Sequence, residues 1–175
     1  TVFAVIFLCT GSLNFTKIVL AQQYIWFCIP LFPLFIIFLI ALLAECNRHP
    51  FDLPEAEGEL VSGFNTEYSA MGFALFFIGE YGNIIVMSTL ISILFCGGWL
   101  PLFGLTCIPG IIWLCLKICF FISFYVVVRG AYVRFRYDQL MRIGWKSLLP
   151  LCFGWFIFIS GLLLTCNILP NILCF

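Results

Sequence analysis

Charge is what this sequence has least of. Lys and Arg number 8, Asp and Glu number 8, and His49 is the one histidine in 175 residues. A soluble domain carries roughly 25% charged residues, against 9% here with 64% hydrophobic residues. That shortage excludes a soluble globular domain, and the net charge of zero leaves no bulk attraction to nucleic acid. The 10 cysteines include no CxxC pair, and a lone histidine supplies no metal-ligand spacing, which excludes zinc and haem sites. No GxGxxG occurs on a strand–helix unit, so no nicotinamide dinucleotide site is encoded. Internal repeats and linkers are missing too, so residues 1–175 read as a single transmembrane domain.

What is present is apolar and continuous. Barrel strands would alternate, whereas these runs do not, so the fold expected is all-α and polytopic. Four full spans are predicted, over Tyr24–Ala44, Tyr68–Phe95, Ile108–Val128 and Leu148–Cys166. Thr1–Cys9 reads as the end of a further, partial span, and Asn14–Gln23 as a short connection. Seven cysteines in apolar runs (Cys9, Cys28, Cys96, Cys115, Cys119, Cys152 and Cys166) read as small buried hydrophobes, and Cys46 as the exposable one. Alternating passage places the loops 45–67 and 129–147 on one side. Arg48, Arg129, Arg134, Arg136, Arg142 and Lys146 lie there, against Lys17 opposite, so that side is the inner one.

The charge that exists is concentrated. Ala44–Tyr81, AECNRHPFDLPEAEGELVSGFNTEYSAMGFALFFIGEY, holds seven of the eight acidic residues. Carboxylates between lipid-grade helices are expensive, and mark a functional site by default. Pro50 and Pro54 break the span and restart a short helix, with Glu55, Glu57 and Glu59 in or after its first turn. A solvated loop is the plain alternative, yet Leu53, Leu60, Val61 and Phe64 make it apolar. Crowded carboxylates in such a pocket acquire raised, coupled pKa values and can pass protons. Glu45 and Arg48 are spaced to pair on one helix face. Glu80 and Lys117 fall near mid-membrane in consecutive helices, which reads as a neutralising pair or as a proton relay. Gly72 and Gly79 offer a stripe for close helix approach. In the basic loop, Arg134, Arg136 and Asp138 alternate, either as a positive-inside anchor or as a docking surface.

Together with Lys117, RGAYVRFRYDQLM and Trp145-Lys146, the acidic segment resembles NADH dehydrogenase subunit 1 (the bacterial H-subunit family), the quinone-channel membrane subunit of proton-pumping NADH:quinone oxidoreductase, respiratory complex I. The resemblance covers essentially the whole chain. It implies the carboxy-terminal half of an eight-helix subunit in the mitochondrial inner membrane, with the bacterial inner membrane as the alternative. It implies a proton path through Glu45, Glu55, Glu57, Glu59, Glu80 and Lys117, and a quinone tunnel touching Arg48, Phe51 and Phe64. Arg134, Arg136 and Asp138 would face the hydrophilic arm. Ubiquinone would be the substrate, with no cofactor bound covalently to this chain, and FMN and iron–sulfur clusters on partner subunits. Expected partners are the quinone-site arm subunits, the small and antiporter-like membrane subunits, and a second polypeptide supplying the missing amino-terminal helices. Cys46 and His49 depart from the commoner Thr and Ala or Thr, and Val133 from Pro. An autonomous transporter or proton channel, and a structural anchor of a related hydrogenase complex, are the rival readings.

Overall fold

The computed structural model describes residues 1–51, 68–101 and 109–166. Among them every regular element is helical. α1 (Val2–Thr10) ends at Gly11, whose φ of 68° lets its N–H reach back to the Phe7 carbonyl at 2.8 Å. α2 (Phe15–Ala21) starts at Asn14, whose side chain accepts from the Thr16 N–H at 3.1 Å. The expected short connection is a helix in its own right, its axis 70° from that of α1, and by length and composition the pair has the form of a broken span or a re-entrant loop.

α3 (Phe32–Glu45) is shorter than the span predicted from Tyr24. Pro30 and Pro33 explain this: Pro33 fits the first turn of a helix, while an uninterrupted helix from Tyr24 would clash with the ring. Fourteen residues rise only about 21 Å, short of a bilayer core of about 30 Å. α4 (Ala70–Phe95) and α5 (Gly110–Ala131) match their predicted spans closely and are long and apolar enough to cross a membrane. The third such run is Tyr137–Thr165, longer than the predicted Leu148–Cys166. It comprises α6 (Tyr137–Arg142), a π-helical turn (Ile143–Leu148) and α7 (Leu149–Thr165). Pro150 lacks an N–H and its ring crowds the preceding turn, and the widened π turn lets the helix continue past it.

The core gathers where α1, α3, α4 and α7 meet, around Leu34, Phe38, Ile91, Leu94 and Phe95. Phe35 and Phe38 each set their rings 5.5 Å from that of Phe95. Ser88 and Ser92, one turn apart and fully buried, return their hydroxyls to carbonyls of their own helix and keep α4 narrow there. The first half of α4 and most of α7 are exposed, as faces for lipid or neighbouring protein. Gly79 and Gly72 meet no neighbouring helix among the described residues, so the expected glycine stripe packs nothing there. Cys152 is buried as expected, whereas Cys115, Cys119 and Cys166 are exposed and Cys46 is buried, the reverse of their sequence reading.

Candidate functional site

Two polar centres flank α4. The first lies where α3 ends. Asn47 takes a left-handed φ of 48°, which turns the chain sharply after Cys46. That turn carries Arg48 away from Glu45 and toward α4. The expected Glu45–Arg48 pair is therefore not formed: Arg48 Nε lies 3.2 Å from Glu80 Oε1, and Glu45 is exposed. The Arg48 side chain is 7% exposed and that of Glu80 34%. The Tyr81 ring stands 5.1 Å from the guanidinium carbon, and Asn83 Nδ2 donates weakly to the Glu45 carbonyl at 3.4 Å. Arg48 Nη2 is buried and makes no hydrogen bond among the described residues, and Nε meets Glu80 off the hydrogen-bond line. The guanidinium thus has donor capacity in reserve.

Cys46 sits beside this pair. Burial pushes its thiol up to about 11, with the Glu45 and Glu80 carboxylates adding to the effect and Arg48 opposing it. Tyr125 of α5 is buried, and its hydroxyl has no hydrogen-bond partner among the described residues. Sequence reasoning missed Tyr81, Asn83 and Tyr125. The first two lie within three residues of Glu80 and were legible as polar neighbours on an apolar helix.

An apolar cavity of about 440 Å³ opens alongside. It is lined by Ile36, Leu39 and Leu43 of α3, by Phe124 and Val128 of α5, and by Pro50, Phe51 and Phe135. Phe51 donates its N–H to the Arg48 carbonyl at 2.9 Å, so the cavity lining and the buried guanidinium share one tight turn. The Phe135 N–H donates to the Pro50 carbonyl at 3.1 Å, and the two phenyl rings of Phe51 and Phe135 lie 6.1 Å apart. The two charged loops are therefore joined at Pro50 and Phe135, as the alternating passage of the spans anticipated. Arg136 Nε and Asp138 Oδ2 are 3.5 Å apart and largely exposed. Arg134 lies in the same segment. Glu55, Glu57, Glu59 and Phe64 lie outside the described residues.

The second centre is at the far end of α4. Lys117 Nζ donates to the carbonyls of Cys96 at 2.7 Å, Gly98 at 2.9 Å and Leu100 at 2.8 Å, under the Trp26 ring at 4.7 Å. Lys117 is thus separated from Glu80 by roughly 20 Å at about 1.5 Å per residue. The expected pairing at equal depth is overturned: α5 is offset so that Lys117 faces the turn after Phe95.

Residues 1–160 match the sequence model of a family described as NADH dehydrogenase. Among curated proteins, NADH-ubiquinone oxidoreductase chain 1 of Chondrus crispus is 61% identical over 168 residues, covering 94% of this chain and 52% of that protein. The protein of the same name from Arabidopsis thaliana is 54% identical over 168 residues, with the same coverage of 94% and 52%. An NADH-quinone oxidoreductase subunit of the bacterium Rhodospirillum centenum is 55% identical over 173 residues, covering 97% and 52%. The chain spans about half the length of the curated relatives it matches.

Proposed function

The chain belongs to the NADH dehydrogenase family, and from that premise we propose that it is a membrane subunit of a proton-pumping NADH:ubiquinone oxidoreductase, lining the quinone tunnel and taking up the proton step. One observation carries the reading: an apolar cavity lined in part by Phe51, which shares a turn with a buried arginine held to a mid-helix carboxylate. A quinone needs both parts, a greasy wall for its isoprenoid tail and a polar group near its ring.

The chemistry follows from charge. Reducing a quinone to a quinol takes two electrons and two protons. Electrons arrive from cofactors held by partner subunits. Negative charge gathering on the ring draws on the spare donors of Arg48. A guanidinium shared with a second anion holds Glu80 less well, and that carboxylate is freed to change partners. Glu80 then takes a proton, and returns it as the quinol forms and leaves. Glu45, with Glu55, Glu57 and Glu59, supplies protons from the inner face. Arg134, Arg136 and Asp138 face the hydrophilic arm. The mitochondrial inner membrane is the proposed location.

Glu80→Gln in the assembled complex tests this. The expected result is continued quinone reduction with fewer protons moved per electron. Native proton movement in a fully assembled Glu80→Gln complex refutes the role.

A further inference from the structure

The end of α4 is capped to completion. The last carbonyls of a helix have no intrahelical donor, and in lipid no water is present to replace one. Here each is answered. The Ser92 carbonyl accepts from the N–H groups of Cys96 at 3.2 Å and Gly98 at 2.9 Å. Gln22 Nε2 donates to Ile93 at 3.1 Å and Leu94 at 3.0 Å, while Gln22 Oε1 accepts from the Gly97 N–H at 2.9 Å. The Cys28 N–H serves Phe95 at 3.0 Å, and the Leu100 N–H serves Gly97 at 2.9 Å. In the turn that follows, the carbonyls of Cys96, Gly98 and Leu100 converge, and Lys117 takes all three.

We infer that Lys117 is a resident cation completing this cap, and that it is not a carrier on the proton route. An ammonium has three N–H bonds, and all three are spent on carbonyls. A neutral amine keeps two N–H bonds and a lone pair. Releasing a proton would therefore turn a lone pair on a carbonyl oxygen at under 3 Å. The cation also sits against the negative end of the α4 dipole, where positive charge is favoured. Backbone geometry builds the bowl in advance. Gly97 and Gly98 take φ values of 71° and 49°, and side chains there would strike Trp26 at 3.1 Å and Val19 at 3.0 Å. The bowl of three carbonyls under an indole is a site for a primary alkylammonium group, and Lys117 is its built-in ligand.

The prediction is direct. In membranes carrying the intact assembly, Lys117→Ala lowers the thermal unfolding midpoint, and added ethylammonium restores part of the loss. Tetramethylammonium, which has no N–H bond, restores none. An unchanged midpoint, or equal rescue by both ions, overturns the inference. Should Lys117→Ala fail to assemble, the native protein decides through deuterium exchange at 15N-labelled lysine. The Lys117 ammonium protons are expected to exchange at least about a hundredfold more slowly than those of Lys146, since charge-assisted bonds must break first. Exchange as fast as at Lys146 overturns the inference whether or not the quinone reading holds. That reading is judged separately, by proton movement in Glu80→Gln.

Discussion

At one end of α4, Arg48 meets Glu80 at 3.2 Å, with the carboxylate 34% exposed and two guanidinium nitrogens lacking hydrogen bonds among the described residues. At the other, Lys117 is ringed by three carbonyls, none farther than 2.9 Å. Both are single cations beside the same helix. A cation with unused donors can change partners when a new charge arrives. A cation with every donor engaged can only hold what it holds. Ionisable residues in a membrane are functional by default, but the count of satisfied bonds separates those that act from those that fasten.

Substitution breaks the comparison most sharply at the fastened end. Lys117→Met orphans three carbonyls at about 1–3 kcal/mol each, so a stability loss of at least about 3 kcal/mol is expected, read by denaturant unfolding in mild detergent. Arg48→Met comes next. Glu80 keeps some contact with its surroundings, so about 2 kcal/mol is expected, together with a much larger loss of quinone turnover. A variant equally mild in stability and turnover would erase the contrast between the two ends. Phe51→Ala should remove about 1 kcal/mol and raise the KM for quinone several-fold with kcat little changed, since Phe51 lines the cavity.

Cys46 sharpens the comparison in alkali only. Its thiol titrates at about 11 in the fold against an ordinary value of 9.0. Because the folded value is the higher one, its contribution is complete below pH 9 and is lost as pH rises toward 11. Cys46→Ala should remove that alkaline loss in an unfolding series, and maleimide should label native Cys46 only slowly at neutral pH. The smallest effect is expected at Asp138→Asn, under about 0.5 kcal/mol, because the exposed pair with Arg136 is screened by solvent. A larger change in the assembled complex than in the isolated chain would mark that pair as a docking contact.

Much of this was legible in the residues. The ranges of α4 and α5 follow from uninterrupted apolar runs, with Pro109 beside the start of α5. The shared face of the two charged loops follows from alternating passage of the spans, and the Phe135–Pro50 bond realises it. The length of α3 was harder, since Pro33 is compatible either with a kinked span or with a fresh start, and only packing chooses. The partners of Arg48 and Lys117 were misjudged for one physical reason. Sequence displays charged side chains, but it does not display backbone acceptors or the direction a left-handed residue sends the chain. Asn47 redirects Arg48 to Glu80, and the turn at Gly97 and Gly98 presents oxygen atoms to Lys117.

The π-helical turn at Ile143–Leu148 acts as a phase shifter within one rod. It accommodates an extra residue, and one residue corresponds to about 100° of rotation about a helix axis. The sides of α6 and α7 are out of step by that angle. Deleting one residue inside the turn would restore a plain α-helix and swing Tyr137–Arg142 around the axis, with Asp138 and Arg142 facing a new direction while α7 stays where it is. The compass bearing of the charged loop is thus written in a single surplus residue.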